Sequence, residues 1–261
     1  MPSVAQRMGM THPLLPKLKS LRLSGMLNTL EVRAAQAAER SLTPTEFLAL
    51  LLDDELERRE QSRFGARMKE SGCEEGKSLA RFDFGAVPGL TRSVVMELGT
   101  CAFVERRQNV LVCGPTGVGK THLVSGLGFE ALKRGYRVLL KPLHQVLQEL
   151  QASRADGTHG RKLFRLCEVD LLILDDFGLR PLPAPSVDDL YEIISQRYER
   201  RSLVLTSNRS LAEWSEVFGD SLLASAALDR LTHHVHTLVI EGKSYRQLAR
   251  GKEMDQGLSS S

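Results

Sequence analysis

Short apolar runs alternate with longer helix-forming stretches through the second two thirds of the chain. A continuous apolar run predicts a strand buried on both faces, and strands that alternate with helices predict a parallel sheet. The runs are "NVLVCG", "RVLLK", "DLLILDD", "SLVLTSN" and "HTLVIEG". We therefore predict an α/β fold in which a five-stranded parallel sheet is flanked by helices.

A helical pattern precedes this region. In "LTPTEFLALLLDDELERRE", Thr43 stands at the N-cap, Pro44 at the first helical position and Glu46 at the capping-box position. Glycines then interrupt the pattern in "ESGCEEGKSLARFDFG", which we interpret as a linker. The domains predicted from these patterns are an all-α N-terminal domain at residues 1–72, an α/β domain at 73–250 and a disordered tail at 251–261.

Composition narrows the class of protein. Of 261 residues, 42% are hydrophobic and 26% are charged, which is typical of a soluble globular chain. No apolar run approaches the ~20 residues that cross a bilayer, and the N-terminal stretch has no signal-peptide pattern. We therefore expect a cytoplasmic protein with no membrane partner. The four cysteines form no C-x-x-C pair, so we expect buried thiols rather than a zinc site or a disulfide framework.

The basic residues are unevenly distributed along the chain. The net charge of +3 is too small to indicate a nucleic-acid-binding protein by itself. Basic residues nevertheless concentrate in residues 7–40 and 133–165. Such clusters are either solvated faces or surfaces that contact phosphates, and charge alone leaves both interpretations open.

The segment "GPTGVGKT" matches the phosphate-binding pattern G-x-x-x-x-G-K-[ST] and lies between a predicted strand and a predicted helix. Its glycines let the backbone curl around phosphates, and the helix start directs N–H groups towards them. We expect Lys120 to reach the β and γ phosphates and the Thr121 hydroxyl to ligate Mg²⁺. A chance glycine-rich turn is the alternative, and the strand–helix context disfavours it. The predicted nucleotide-binding residues are Gly114, Pro115, Thr116, Gly117, Val118, Gly119, Lys120 and Thr121.

Polar side chains end two later strands. Burying unpaired charge is costly, so the adjacent Asp175 and Asp176 at the end of "DLLILDD" need a purpose. A nucleotide–Mg²⁺ site needs a carboxylate at the end of a neighbouring strand. We expect Asp175 to hold Mg²⁺, through water, and Asp176 to polarise the water that attacks the γ-phosphate. Asn208 is expected to hold the same water. The alternatives are a helix-start or turn pair for the acids and a turn Asn before the cap Ser210.

The phosphate-binding loop, "LLILDD" and "TSN" together resemble an AAA+ ATPase. More narrowly, the chain resembles the IstB family of transposition helper ATPases, which are relatives of the DnaC helicase loaders. The stretches that carry this resemblance are "SGMLNTLEVRAAQA", "LTPTEFLALLLDDELERRE", "YEIISQRYERRSLVLTSNRSLAEW" and "ALDRLTHHVHTLVIEGKSYR". The resemblance implies an ATP- and Mg²⁺-dependent ATPase that assembles on double-stranded DNA as a homo-oligomeric ring or helical filament. It also implies that the protein presents this DNA to a partner transposase.

The resemblance assigns roles to arginines as well. Arg230 matches the arginine that reaches a neighbouring subunit's ATP, with an ordinary helix-end salt bridge as the alternative. Arg246 matches a second phosphate-sensing arginine, although the short stretch after the last strand implies little or no C-terminal lid. Arg209, next to Asn208, is an alternative for the role of Arg230.

The insertion "HQVLQELQASRADGTHGRKLFRL" reads as a helix, a glycine-containing turn and a second helix. The resemblance implies that it faces a central channel. Its basic residues could neutralise DNA phosphates with little sequence specificity. The predicted DNA-binding residues are Arg154, His159, Arg161 and Lys162.

Three functions remain open at this stage. The first is the transposition helper, and the second is a helicase loader that binds a hexameric helicase. The third is a P-loop enzyme acting on a small molecule, for which the sequence shows no acceptor pocket.

Overall fold

The computed structural model describes residues 13–242, 244 and 245. The chain divides between Ala66 and Arg67 into two compact units. The predicted tail at 251–261 lies outside the described residues. Within the described part, no helix combines the length and the apolar composition needed to cross a membrane.

The first unit is helical. It contains α1 (Leu15–Ser20), α2 (Ser24–Arg40) and the beginning of α3 (Pro44–Ser71). The predicted capping box is confirmed, because the backbone N–H of Thr43 donates to Glu46 Oε2 at 2.7 Å and the N–H of Glu46 donates to Thr43 Oγ1 at 3.3 Å. Helix α3 therefore begins where the sequence predicts.

Helices α2 and α3 approach closely at Gly25. A Cβ atom there would lie 2.6 Å from Glu55 Cα, so only glycine fits. The buried Glu55 carboxylate accepts hydrogen bonds from the N–H of Gly25 at 2.6 Å and from Arg59 Nε at 2.7 Å. Met26, Leu30 and Leu51 form the apolar core of this unit.

The glycine-containing segment after α3 is not the open linker that the sequence predicts. Leu79 and Phe82 are buried, and the N–H of Glu74 donates to Ser125 Oγ at 3.1 Å. The packing of Leu79 depends on Gly126, because a Cβ atom at Gly126 would lie 2.7 Å from Leu79 Cδ2. Short helical turns and this packing hold the segment against the α/β unit.

The second unit contains the predicted parallel sheet, and the fold prediction is confirmed. The strand order is β2-β3-β4-β1-β5, with all pairs parallel. In chain order the elements are α4 (Arg92–Gly99), α5 (Ala102–Glu105), β1 (Asn109–Cys113), α6 (Lys120–Lys133), β2 (Val138–Pro142), α7 (Leu143–Ala155), α8 (His159–Glu168), β3 (Leu171–Phe177), α9 (Ala184–Arg197), β4 (Ser202–Ser207), α10 (Trp214–Phe218), α11 (Ser221–Thr232) and β5 (Val235–Val239).

Helices cover both faces of the sheet, which explains the continuous apolar runs. On one face, Leu172 and Leu174 belong to a core that includes residues of α7, α9, α10 and α11. On the other face lies α6, where a Cβ on Gly128 would come within 3.0 Å of Ile173 Cδ1. Because side chains alternate along a strand, Asp175 lies on the same face as Ile173, towards α6.

The acidic strand β3 does not pair with β1, because β4 lies between them. The carboxyl ends of β1, β3 and β4 nevertheless meet at one edge of the sheet. The end of β4 therefore lies between the end of β1 and the end of β3.

Candidate nucleotide-binding site

The loop between β1 and α6 has the geometry that the glycine pattern predicts. Gly117 and Gly119 have φ angles of +88° and +100°, a region that favours glycine. A Cβ on Gly117 would lie 2.2 Å from Ser244 Oγ, so there is no space for a side chain. The loop enters α6 at Lys120, with Gly119 as the N-cap. It therefore forms a tight turn that leads directly into a helix N-terminus, as a phosphate-binding loop requires.

Lys120 lies across this loop. Its Nζ donates to the carbonyl oxygens of Gly114 and Pro115, both at 2.8 Å, and only 7% of the residue is exposed. The ammonium group is thus held inside the curl of the loop, where the phosphates of a nucleotide are expected. Contact of Lys120 with the β and γ phosphates stays a prediction.

Asp175 joins the loop to the neighbouring strands. It is 4% exposed and accepts a hydrogen bond from Thr121 Oγ1 to Oδ2 at 2.7 Å. Its other oxygen, Oδ1, accepts from the hydroxyl of Thr206 at the end of β4. The structure therefore brings together the two residues predicted to hold Mg²⁺, and each oxygen of the buried carboxylate has a donor.

Asp176 has a different environment from the acid next to it. The pairing of β3 with β4 shifts register between Leu174 and Phe177, and Asp176 lies in this irregularity with a φ of +60°. The bulge breaks the alternation of side chains. As a result Asp175 is buried against Thr121, whereas Asp176 is exposed and lines the cavity beside the loop.

This cavity has a volume of about 580 Å³. Its lining includes residues that the sequence analysis missed. The ring of Phe82 meets the ring of His122 edge-on, with centroids 5.4 Å apart, and Tyr245 donates from its hydroxyl to the carbonyl of Asp83 at 2.7 Å. No motif marks these residues, because they come together only through the fold. The lining residues are Lys77, Arg81, Phe82, Asp83, Thr116, Gly117, Gly119, Lys120, Thr121, His122, Asp176, Leu179 and Tyr245.

Asn208 and Arg209 follow the end of β4. The carbonyl of Ser207 accepts a hydrogen bond from the N–H of Gly114 at 3.1 Å. The next residue, the exposed Asn208, therefore lies beside the phosphate-binding loop. Arg209 is bound within its own subunit, because its Nε donates to the carbonyl of Gly178 at 2.7 Å. This contact makes Arg209 a poorer candidate for reaching a neighbouring subunit.

Of the two remaining arginines, the structure describes only Arg230. Arg230 lies in the last turn of α11, where Nη1 donates to the carbonyl of Ala226 at 2.8 Å and the guanidinium lies 5.5 Å from the ring centre of Tyr191. Among the described residues it does not line the cavity of its own subunit. Arg246 lies outside the described residues.

The predicted helix–turn–helix insertion is present as α7 and α8, with Gly157 in the turn at a φ of +70°. Its basic residues fall into two groups. Arg154 and His159 both contact Oδ1 of buried Asp189, at 2.6 and 2.8 Å. Arg161 is exposed and Lys162 is half-buried, and no ion pair joins either of them to a carboxylate in the described part of the chain.

The arrangement fits a nucleoside triphosphate with Mg²⁺. The loop leaves no space for a side chain at Gly114 or Gly117, and Lys120 supplies positive charge. Thr121 can offer an oxygen lone pair while it donates its proton to Asp175, and these two residues would hold Mg²⁺. The parallel sheet and this loop place the chain in the class of P-loop nucleotide-binding proteins.

The family follows from sequence comparison. Residues 16–253 match the family model described as IstB-like ATP binding protein, and the chain belongs to this family. An insertion sequence IS21 putative ATP-binding protein from Pseudomonas aeruginosa is 40% identical over 90% of this chain and 89% of that protein. An insertion sequence IS5376 putative ATP-binding protein from Geobacillus stearothermophilus is 35% identical over 90% of this chain and 96% of that protein.

Solved structures show the same fold. The replication initiator DnaA bound to AMPPCP and single-stranded DNA matches with a TM-score of 0.57 at 24% identity, over 71% of this chain and 56% of that chain. The DnaC helicase loader matches with a TM-score of 0.50 at 23% identity, over 57% of this chain and 87% of that chain. At such identities the likeness shows the fold alone.

Proposed function

We propose that the chain is an ATP-dependent, DNA-binding transposition helper that hydrolyses ATP, assembles on duplex DNA and presents it to a partner transposase. The contact of Thr121 with Asp175 beside the phosphate-binding loop carries the nucleotide part of this proposal. Membership of the IstB-like family, whose relatives belong to insertion sequences, supports the rest.

In this proposal each residue of the site has a separate role in hydrolysis. The backbone N–H groups of the loop and Lys120 bind the phosphates, while Mg²⁺ held by Thr121 and Asp175 would neutralise charge on them. Asp176, exposed in the cavity, accepts a proton from the attacking water, and Asn208 orients that water. Arg230 of a neighbouring subunit supplies positive charge at the γ-phosphate, so that hydrolysis depends on assembly. Assembly in this head-to-tail manner gives a ring or a helical filament.

The contacts of Arg154 and His159 with Asp189 reduce the number of residues that we assign to the proposed DNA surface. Removing Arg154 or His159 from Asp189 would leave a buried carboxylate without its partners, which is costly. These two residues therefore fasten α7 and α8 to α9. Phosphate contact falls to Arg161 and Lys162, which follow the turn at the start of α8.

Removing both charges by the double substitution Arg161→Ala and Lys162→Ala should weaken duplex binding equally on unrelated sequences. Each lost phosphate contact lowers the slope of log K against log salt concentration by about 0.9, so the slope should fall by roughly 2 per bound subunit. Fluorescence anisotropy at several salt concentrations measures both quantities.

A matched control removes two cations from the exposed end of α6, by Lys133→Ala with Arg134→Ala. These residues pair with Glu130 in the same helix. Their removal should leave the salt slope unchanged. Equal slopes for both double variants and the unsubstituted protein would exclude α8 from the DNA surface.

The partner separates this proposal from its main alternative, a helicase loader. The all-α region at residues 1–72 is the proposed site of assembly and of contact with DNA or the partner protein. The ATP-loaded chain should retain a candidate transposase in a pull-down on duplex DNA, and it should not retain a replicative helicase. If the chain retains only the helicase, the function is that of a helicase loader and the proposed function as a transposition helper is wrong.

A further inference from the structure

The hydroxyl of Thr206 contacts both acids of the site at once. It donates to Asp175 Oδ1 and accepts the backbone N–H of Asp176 at 3.0 Å. Thr206 is fully buried, and it belongs to β4, the strand that lies between the phosphate-binding strand and the acidic strand. The neighbouring strand thus holds two consecutive acids through one oxygen atom.

The direction of each hydrogen bond is fixed by chemistry. A carboxylate only accepts, so the single proton of the hydroxyl must point to Asp175. The hydroxyl lone pair is then left to accept from Asp176. The N–H of Asp176 donates to this hydroxyl at the point where the register of the β3–β4 pairing shifts between Leu174 and Phe177. The side-chain oxygen of Thr206 thus takes the place of a backbone acceptor.

Both acids depend on this replacement. The other oxygen of Asp175 receives the hydroxyl of Thr121, so the donor on Oδ1 fixes the rotation of the carboxylate towards the phosphate-binding loop. The bond to its N–H stabilises the +60° φ of Asp176, which costs free energy in a residue other than glycine. That φ determines where the Asp176 side chain enters the cavity.

We infer that Thr206 is a positioning residue for ATP hydrolysis, which aims Asp176 at the cavity and Asp175 at Thr121 through a single hydroxyl. The inference rests on the proposed hydrolysis of ATP by this site. Thr206 acts through the two acids and does not itself line the cavity.

Ser207, the next residue of β4, provides a matched comparison. Its hydroxyl donates to the carbonyl of Phe177 at 2.9 Å and accepts the N–H of Arg209 at 3.0 Å. It is as buried as Thr206 and also fastens β4 to β3, but it contacts neither carboxylate. Ser207→Ala therefore removes a buried hydroxyl from the same strand end without releasing an acid.

The test compares Thr206→Val, which keeps the shape and removes the hydroxyl, with Thr206→Ser, which keeps the hydroxyl. Thr206→Ala is a second variant without the hydroxyl, in case valine prevents folding. Misplacement of a reacting group by about 1 Å can cost roughly 100-fold in rate, so Thr206→Val and Thr206→Ala should lower kcat by about 10- to 100-fold. Thr206→Ser should stay within about threefold of the unsubstituted protein, and Ser207→Ala should lose clearly less turnover than Thr206→Val. The Kd for ATP should change by less than about threefold in all four, because the phosphate-binding loop is intact.

Several results would overturn the inference. They are unsubstituted turnover in Thr206→Val, equal losses in Thr206→Ser and Thr206→Val, or an equal loss in Ser207→Ala. If the unsubstituted protein does not hydrolyse ATP, the proposed function fails instead. Hydrogen exchange of the Asp176 amide, followed by NMR, then tests the inference separately: exchange should quicken in Thr206→Val, and unchanged exchange would refute the positioning role.

Discussion

Asp176→Asn should slow ATP hydrolysis by about 100-fold or more and leave the Kd for ATP within about threefold of its original value. Loss of a general base costs roughly 10²- to 10⁴-fold in rate, whereas the loop that binds the phosphates is untouched. Phosphate release under saturating ATP and binding of a fluorescent ATP analogue measure the two quantities.

Asparagine is the appropriate replacement because of the backbone. Asp176 has a φ of +60°, and Asn and Asp tolerate this region better than most residues other than glycine. The substitution therefore changes the acid and preserves the bulge. The same geometry gives a physical reason for Asp at this position, since a longer acid such as Glu adopts a positive φ less readily.

Lys120→Ala provides the contrasting variant. Charged hydrogen bonds contribute about 1.5–3 kcal/mol, so loss of this ammonium should weaken ATP binding by about 10- to 100-fold. Asp188→Asn is a control for the change of charge, because Asp188 is an exposed acid on α9. Similar losses of ATP binding in Asp176→Asn and Lys120→Ala would contradict the separate roles of the two residues.

The sequence predicted those parts of the site that local chemistry determines. The loop with Lys120 and Thr121 is contiguous in the sequence. The spacing of its glycines directly indicates where the backbone takes conformations that favour glycine. The strands were recognisable because both faces are buried. Asp175 could be placed because an acid at the end of such a strand has few other uses.

The parts that the sequence did not predict depend on residues distant in the chain. Asp189 contacts both Arg154 and His159 through its Oδ1 atom. These residues are about thirty positions apart in the sequence, and no local sequence pattern predicts such a pairing. At the bulge, the hydroxyl of Thr206 from the adjacent strand bonds to both Asp175 and Asp176. Tertiary contacts therefore decide which charged residues remain available for ligands, and a charge pattern alone overestimates their number.

In the proposed function the site becomes complete only on assembly, and Arg230 is the proposed link between subunits. Its guanidinium bonds to its own helix and lies over Tyr191, away from the cavity-lining residues of its own subunit. A planar guanidinium has five donors, and the carbonyl of Ala226 uses one of them. We propose that Arg230 reaches a neighbouring copy of the chain, where it would meet the γ-phosphate.

Arg230→Ala should therefore abolish the stimulation of hydrolysis by assembly while leaving ATP binding by the single subunit unchanged. Arginines that act on phosphoryl transfer from another chain contribute about 10³- to 10⁵-fold, so the loss should exceed 10-fold even when assembly is incomplete. Stable binding to duplex DNA should be lost as well, because weak phosphate contacts add up only in an oligomer. Turnover, light scattering and DNA retention at matched protein concentrations check these outcomes.

A mixture of Arg230→Ala and Lys120→Ala subunits distinguishes action between subunits from action within one. In an equal random mixture, about a quarter of the interfaces join an intact phosphate-binding loop to an intact arginine in a head-to-tail assembly. These interfaces should restore up to roughly a quarter of the original turnover, although each variant alone is inactive. Mixed oligomers that form without restoring any turnover would show that Arg230 does not act on its neighbour. Arg209 or Arg246 would then become the better candidate for the trans-acting charge.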